Sequence, residues 1–398
     1  MTIFNVRSPP PGFIDNPYPT YTRLRREAPV LAQPDGSFVV STYRALDAIY
    51  RDSQTFSSDK KAVFGPKFGS SPLFEHHTTS LVFNDPPLHT RIRQVMVGAM
   101  TPRAIARLEP GLVGLIDQLL DEMAGNDEVD LIENFAARIP IHVIGNLLAI
   151  PVNDRGPLRD WSLAILGALE PTLTPEQERA GNEAVVDFKA YLGSLAAHRK
   201  RHPRDPDTDV LTRLIESEGA KLSENELLQN CIFILNAGHE TTTNLIGNAL
   251  ALLFDHPFAL KMLIDQPVSM TTAIDEFLRL QSPNQFGNRL TTKAVTIEGV
   301  PIPAGTDLHL CIGAANRDET VFVDADKVMP DRRPNKHLAF AGGTHTCVGL
   351  SLARLEGRIA LRRFIERYPG FEIIERTYSP RIRFRGFKTL MAKLAVRA

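Results

Sequence analysis

Cys347 has the most distinctive chemical surroundings in the chain, because it ends a glycine-rich run and precedes a predicted helix. The run reads Phe-Ala-Gly-Gly-Thr-His-Thr-Cys-Val-Gly from Phe340 to Gly349, and apolar residues then recur at helical spacing to Leu361. Unpaired N–H groups and the positive end of a helix dipole favour a thiolate just before a helix N-terminus. We therefore expect Cys347 to attack a substrate or to bind a metal. An ordinary buried cysteine in a turn is the plainer alternative.

The same run resembles the haem-binding signature of the cytochrome P450 superfamily, Phe-x-x-Gly-x-His-x-Cys-x-Gly. Every fixed position of the signature is matched, by Phe340, Gly343, His345, Cys347 and Gly349. The resemblance implies that the Cys347 sulfur ligates the iron of haem b (iron protoporphyrin IX) and that the other four residues belong to the cofactor site. It also implies the fold of that family, which is mainly α with small β-sheets (α+β) and has a long central helix over the haem.

A long central helix is predicted between Ser223 and about Asp255. Ser223-Glu-Asn-Glu226 is a capping-box pattern that starts a helix, and Pro257 stops it. At ~1.5 Å per residue, such a helix is long enough to cross a whole domain.

The middle of this helix reads Asn-Ala-Gly-His-Glu-Thr-Thr from Asn236 onward. Glycine and threonine cost stability inside a helix, so the segment suggests a function. It resembles the family motif Ala/Gly-Gly-x-Asp/Glu-Thr-Thr. The resemblance implies that Ala237 and Gly238 contact the haem, and that Glu240 and Thr241 form an acid–alcohol pair that delivers protons to bound dioxygen. A core helix weakened by glycine, with its polar residues toward solvent, is the alternative.

Two cationic side chains share one face of the helix predicted after Asn84-Asp-Pro-Pro. His89 and Arg93 are four residues apart, and two donors on one face suit a pair of carboxylates. The resemblance implies that they bind the haem propionates together with Arg289. A solvated basic face is the alternative. Arg91 lies off that face, where it is available to a redox partner.

Glu276 and Arg279 are an i,i+3 pair on a predicted helix, a spacing that by itself indicates a surface ion pair. In the family, such a pair is buried and is joined by a second arginine, which positions the loop that leads to the cysteine. Arg332 is the candidate for this third member, and its neighbour Arg333 is the alternative.

A substrate pocket is implied by the same resemblance. Residues 61–82 have an irregular pattern that predicts a long loop, and such loops often act as lids. The resemblance implies that this loop covers the pocket, and a poorly ordered surface loop is the alternative. The residues expected to line the pocket are Phe68, Val82, Phe233, Asn236, Ala237, Asn284, Phe286 and Phe387.

Several amides fall among or beside these apolar residues, and they predict a polar anchor in the pocket. Asn236 stands where the family commonly has an apolar side chain, and Asn284, Gln285 and Asn288 follow the Glu276–Arg279 helix. Buried amides need hydrogen-bond partners. We therefore expect a substrate with an apolar body and at least one carbonyl, hydroxyl or carboxylate group. The alternative is that these amides bond to neighbouring backbone groups.

Composition limits the class of protein. The 398 residues are 43% hydrophobic and carry a net charge of −1, which gives no global field toward nucleic acid or membrane. The N-terminal stretch is polar and proline-rich, and the three cysteines are sparse, so a soluble cytoplasmic monomer is expected. We predict a single cytochrome P450 domain over residues 1–398, with a small β-rich part at about 28–60, 285–312 and 370–396 and helices in the remainder.

The function implied by the resemblance is a haem–thiolate monooxygenase of the soluble bacterial type. It would insert one oxygen atom of O2 into a small or medium apolar substrate, by hydroxylation or oxidative dealkylation. Electrons would come from a ferredoxin or flavodoxin with its reductase, because no flavin or iron–sulfur segment is fused to the chain. A peroxide-driven or isomerising enzyme and a haem-based ligand sensor are the alternatives; neither needs the pair Glu240 and Thr241.

Overall fold

The computed structural model describes residues 4–206, 209–218 and 221–394. These residues form mostly helices, as expected for a mainly α fold with small β-sheets. The α-helices are α1 (Tyr18–Glu27), α2 (Tyr43–Arg51), α3 (Lys61–Phe68), α4 (Pro72–Thr79), α5 (Leu88–Ala99), α6 (Pro102–Ala106), α7 (Glu109–Met123), α8 (Arg138–Leu147), α9 (Leu158–Gly167), α10 (Pro175–Arg201), α11 (Val210–Glu216), α12 (Glu224–Asp255), α13 (Pro257–Asp265), α14 (Met270–Leu280), α15 (Ile312–Ala315) and α16 (Leu350–Arg367).

The strands are shorter and cluster in three sheets. They are β1 (Val30–Ala32), β2 (Phe38–Val40), β3 (Phe56–Ser57), β4 (Glu128–Asp130), β5 (Phe286–Thr291), β6 (Val295–Ile297), β7 (Val300–Ile302), β8 (Asp307–Cys311), β9 (Glu372–Tyr378) and β10 (Phe387–Lys393). Among them, β4 lies outside the three stretches in which strands were predicted. It pairs with β10 through Met391 and Asp130, a long-range partnership that its three residues do not reveal.

The chain divides into two compact units. The first unit comprises Met1–Phe56, Pro110–Ile139 and Thr241–Ala398, and the second comprises Ser57–Glu109 and Pro140–Glu240. The boundary falls inside α12, between Glu240 and Thr241. The single domain over residues 1–398 stays a prediction.

The first unit is built around a sheet with strand order β1-β2-β8-β5-β3. β2 runs parallel to β8, with Val40 opposite Leu310, and β5 runs antiparallel to β8, with Arg289 opposite Leu308. Parallel neighbours need a long crossover, and here about two thirds of the chain lies between Val40 at the end of β2 and Asp307 at the start of β8. One side of this sheet packs on α2 through a buried apolar cluster that includes Leu46.

The second unit corrects one prediction, because residues 61–82 contain two helices where a long loop was expected. Gly69, at a φ of 59°, ends α3, and the Ser71 hydroxyl caps α4 by accepting a hydrogen bond from the Phe74 N–H. Tertiary bonds hold both helices: the Lys67 Nζ donates to two backbone carbonyls near residue 170, and the Leu73 N–H donates to Asn182.

The start of α12 matches the capping-box prediction. The Ser223 Oγ accepts from the Glu226 N–H at 3.2 Å, and the Glu226 Oε2 accepts from the Ser223 N–H at 2.8 Å. No helix in the described part of the chain combines the length and the apolar character needed to cross a bilayer.

Candidate active site

The cysteine loop lies in the first unit, directly before α16. The Cys347 N–H donates to the Phe340 carbonyl at 3.0 Å and closes the loop, and Gly349 occupies the N-cap position of α16. Cys347 is exposed, whereas Cys231 and Cys311 are buried and burial raises the pKa of both thiols to about 12. Cys347 is therefore the sulfur that a metal can reach.

Two glycines of this loop have different requirements. Gly343 has a φ of 63°, and a Cβ added to it would collide with the backbone carbonyl of Tyr50, so the loop packs on the end of α2 only with glycine here. His345 follows in the short 3-10 turn Gly343–His345. A Cβ added to Gly349 would meet no described atom within 4 Å. The loop thus presents a sulfur beside a backbone that lacks a side chain, an arrangement that fits a flat metal macrocycle.

Arg289 is brought to the same part of α2 as the cysteine loop. It is buried on β5, where its guanidinium lies 5.2 Å from the centre of the Tyr50 ring and its Nη1 donates to the Asn288 carbonyl at 2.7 Å. Burial raises the pKa of Tyr50 to about 12, although the nearby Arg289 opposes this shift. Arg289 and Gly343 therefore contact one residue, Tyr50, from two sides.

A buried ion network supports the segment before the cysteine loop. The Glu276 carboxylate accepts two hydrogen bonds of 2.8 Å from Arg279 and bonds of 3.1 and 3.0 Å from the Arg332 Nε. It also accepts from the Met329 N–H and from the Asn335 side chain, both at 3.1 Å. Desolvation by burial lowers the pKa of Arg279, and its bonds to Glu276 oppose that effect.

The choice between Arg332 and Arg333 is settled by this geometry. Arg332 is buried and reaches Glu276, whereas Arg333 is exposed. Through Arg279 and Arg332, the network links α14 to the segment that precedes the cysteine loop.

His89 and Arg93 lie in the second unit, one turn apart on α5. His89 is buried and Arg93 is half-buried. Arg91 forms an ion pair of 2.6 Å with Glu226 while its side chain stays 42% exposed, so its availability to a redox partner stays a prediction. Its guanidinium also donates to the Lys221 carbonyl.

The middle of α12 is closely packed in the second unit up to Glu240. A Cβ on Gly238 would collide with the Ile144 side chain, so glycine allows the close approach of α8. His239 is buried, its Nδ1 lies 3.3 Å from the Ser162 Oγ, and desolvation lowers its pKa to about 3, with a contribution from Arg159. These contacts indicate a packing role for His239.

Glu240 and Thr241 are consecutive residues of α12. Glu240 is buried, at 6% exposure, and Thr241 is half-buried. Ala237, one turn before Thr241, is exposed. Consecutive positions of a helix point about 100° apart, so the role of Glu240 and Thr241 as a proton-donating pair stays a prediction.

Two amides that were candidates for the polar anchor are satisfied within the first unit. The Gln285 Oε1 accepts from the Tyr21 hydroxyl at 2.8 Å, and its Nε2 donates to the Ser282 carbonyl at 2.6 Å. The Asn288 Nδ2 lies 3.0 Å from the His309 Nδ1. Only the Gln285–Ser282 bond has the backbone partner that the alternative expected, and the other two bonds are to side chains. Asn284 is half-buried and forms an isolated bridge to Phe384.

Asn236 differs from them. Its Nδ2 lies 3.4 Å from the His76 Nε2, while its Oδ1 is buried and has no hydrogen-bond partner among the residues that the structure describes. Sequence reasoning missed His76, because a histidine beside another histidine in the stretch 61–82 was part of a predicted loop. The adjacent pair His76 and His77, flanked by Glu75 and Thr78, was the available signal.

The apolar residues predicted for the pocket divide between the two units. In the second unit, Phe68 is buried with its ring 5.7 Å from that of His77, Phe233 is half-buried, and Val82 is 36% exposed. In the first unit, Phe286 stacks on Phe4 in a core cluster and Phe387 stacks on Tyr378 at 4.3 Å. Packing accounts for Phe286 and Phe387 without a ligand.

Comparisons with known proteins agree with this fold and this loop. The family model described as Cytochrome P450 matches residues 162–266 and 268–391. The chain is 34% identical to the biotin biosynthesis cytochrome P450 of Bacillus subtilis (strain 168), with 95% of this chain and 96% of the relative covered. It is also 34% identical to the vitamin D(3) 25-hydroxylase of Pseudonocardia autotrophica, with 90% and 87% covered.

A solved structure is equally similar. P450BioI in complex with an acyl carrier protein ligated to hexadec-9Z-enoic acid has a TM-score of 0.90 at 32% identity, with 96% of this chain and 99% of that chain covered. Fold and cysteine loop define a haem–thiolate oxidoreductase, and the chain belongs to the cytochrome P450 superfamily. The predicted family, fold and cofactor are confirmed: the protein is a P450 monooxygenase that binds haem b.

Proposed function

We propose that this monooxygenase inserts one oxygen atom of O2 into a small or medium-sized organic substrate with an apolar body, by hydroxylation or oxidative dealkylation. The observation that carries the proposal is the exposed Cys347 in a loop closed on Phe340 at the start of α16. The vitamin D(3) 25-hydroxylase among the relatives supports oxygen insertion as the reaction type.

In this proposal, the residues of the cysteine loop hold the haem. Cys347 supplies its sulfur to the iron, Gly349 leaves room for the macrocycle, and Phe340, Gly343 and His345 shape the loop. His89, Arg93 and Arg289 supply cationic donors for the two propionates. When bound, the haem supplies the activation of O2.

Glu240 and Thr241 move the protons that the reaction consumes. The buried Glu240 carboxyl supplies the proton. The Thr241 hydroxyl, one turn after Ala237 and on the same face of α12, passes it on. The exposed Ala237 lets the substrate and the cofactor approach this turn, whereas Gly238 lets α8 approach through Ile144. A peroxide-driven enzyme or a sensor needs neither side chain, so the presence of this pair favours the monooxygenase.

Electrons are proposed to come from a separate ferredoxin or flavodoxin with its reductase. Membership of the P450 family supports this proposal, because redox partners are typical of that family. Product formation with a surrogate ferredoxin and reductase therefore tests the partner class.

The assignment is tested by the absorption spectrum of the reduced carbon monoxide complex. The purified protein should show the red-shifted Soret band of thiolate ligation, and Cys347→His should abolish it. Cys311→Ser is the matched control and should leave the band unchanged. A Soret maximum typical of histidine ligation in the parent protein would overturn the proposal. Oxygenated product that depends on the redox partner and on O2 separates a monooxygenase from a peroxygenase and from a sensor.

A further inference from the structure

A chain of polar side chains runs through the second unit from an exposed ion pair to Asn236. The Lys189 Nζ pairs with the Glu75 Oε2 at 3.1 Å, and the Gln229 Nε2 donates to the same oxygen at 3.3 Å. The His76 Nδ1 lies 2.8 Å from the Gln229 Oε1, and the His76 Nε2 lies 3.4 Å from the Asn236 Nδ2. Gln229, His76 and Asn236 are buried, so these bonds are shielded from competing water.

The ion pair determines which way each group in the chain points. The Glu75 carboxylate can only accept, so Gln229 must turn its NH2 group toward it and its oxygen toward His76. The His76 Nδ1 must then carry the proton, which leaves Nε2 as an acceptor for the Asn236 NH2 group. The tautomer and both amide orientations therefore follow from one carboxylate.

His76 stays neutral at physiological pH, which keeps the tautomer unchanged. Desolvation lowers its pKa to about 4, against the smaller opposing effects of the Gln229 bond and the Glu75 charge. A neutral ring has one donor and one acceptor. The Gln229 oxygen uses the donor and the Asn236 NH2 group uses the acceptor, so His76 fixes the orientation of the Asn236 amide.

The outcome is a buried acceptor on α12. The Asn236 Oδ1 has no hydrogen-bond partner in the described part of the chain, and the residue is 2% exposed. Phe233 and Glu240 lie at i−3 and i+4 from Asn236, so they share its face of the helix. A buried acceptor without a partner is destabilising, and a ligand that donates to it removes that cost.

We propose that Asn236 selects substrates that offer a hydroxyl or N–H donor, because the hydrogen bonds from Glu75 through Gln229 and His76 engage its NH2 group and leave its carbonyl oxygen to accept from a ligand. The inference rests on the proposed function, in which this face of α12 meets the substrate. It narrows the polar group expected from the sequence. A hydroxyl can donate to the Asn236 oxygen, whereas the oxygen of a carbonyl, an ether or a carboxylate is repelled by it.

The first test measures binding by isothermal titration calorimetry with the haem-loaded protein. The probes are pairs of similar apolar bodies in which only the first member carries a donor: decanol with decyl methyl ether, and cyclododecanol with cyclododecanone. Each alcohol should bind about tenfold or more tightly than its partner, the ratio expected for one hydrogen bond to a buried acceptor. Asn236→Leu should remove the preference within each pair while the apolar partners bind at least as well as before.

The second test reverses the donor and acceptor roles along the series of hydrogen bonds from residue 75 to Asn236. In the charge swap Glu75→Lys with Lys189→Glu, residue 75 becomes a donor, so Gln229 turns over, the His76 tautomer changes and Asn236 presents its NH2 group. The ion pair is retained on the surface, where both side chains are partly exposed, at 44% and 32%. The preference should invert, so that cyclododecanone binds more tightly than cyclododecanol.

Equal affinity within each pair, tighter binding of the ether or ketone by the parent, or no binding by either alcohol would overturn the proposal. So would a charge swap that folds, as judged by circular dichroism, and keeps the preference of the parent. The carbon monoxide spectrum of each variant reports separately on the proposed function. A thiolate-type Soret band with no donor preference means that only the role of Asn236 has failed.

Discussion

Gly343 and Tyr50 lie so close that no Cβ fits between them. The carbonyl of Tyr50 occupies the space that a side chain at position 343 would take, and Gly343 also has a positive φ of 63°. The ring of the same tyrosine lies 5.2 Å from the Arg289 guanidinium. The end of α2 therefore sets the position of the cysteine loop and of a proposed propionate ligand together.

This contact predicts different effects for two glycine substitutions. Gly343→Ala should lower the free energy of unfolding by about 2 kcal/mol or more, because backbone strain and a collision add. Gly349→Ala should leave the stability of the haem-free protein nearly unchanged, since its φ is −85° and no described atom lies within 4 Å of the new Cβ. It should instead weaken haem retention. Urea unfolding and haem transfer to apomyoglobin measure the two effects; equal destabilisation by both variants would contradict this reading.

The proton pair predicts an uncoupled reaction in Thr241→Ala. Without the hydroxyl, the relay from Glu240 is interrupted while the haem and substrate sites remain, so reducing equivalents should be consumed and peroxide released in place of product. The ratio of product to reductant consumed should fall about tenfold or more, in line with the contribution of a positioned proton donor. Thr242→Ala is the control, because the next residue points about 100° away around the helix. Full coupling in Thr241→Ala would place the proton route elsewhere.

The buried network around Glu276 predicts unequal roles for two neighbouring arginines. Arg332→Ala should cost about 3 kcal/mol of stability, because it removes one partner of a buried ion pair. Arg333→Ala should change stability by less than about 0.5 kcal/mol, as expected for an exposed residue. Thermal unfolding of the haem-loaded protein measures both. A large loss in Arg333→Ala together with a small one in Arg332→Ala would be inconsistent with the geometry.

The Glu356 carboxyl on α16 predicts a pH dependence of stability. It is buried, its Oε2 has no partner among the described residues, and desolvation raises its pKa from 4.5 to about 8. Between these two values the folded protein holds a proton that the unfolded chain releases, so stability should fall as the pH rises through this window and level off above it.

Glu356→Gln should reduce that fall, since an amide stays neutral. Glu366→Gln on the same helix is the control, because Glu366 is exposed and pairs with Arg362. Melting temperatures at several pH values from about 5 to 9 bracket the window given by the two pKa values. A parent and a Glu356→Gln variant with the same pH profile would show that Glu356 is solvated in solution.

Local patterns were sufficient wherever the physical signal lies within a few residues. The capping box of Ser223 and Glu226, the turn closed by Cys347 and the loss of helix propensity around Gly238 are all readable along the chain, because neighbours in sequence are neighbours in space. The family, the cofactor and the mainly α fold were implied by the resemblance of two such short motifs, around Cys347 and around Gly238, to those of the P450 family.

Tertiary structure decided what depends on distant segments meeting. Arg332 reaches Glu276 across 56 positions while Arg333 faces solvent, a difference that two adjacent arginines cannot express in sequence. The helices of residues 61–82 form because long-range bonds outweigh their weak intrinsic propensity. The orientation of Asn236 depends on His76, which lies 160 residues away. A buried amide has two possible orientations, and only the groups packed around it select one.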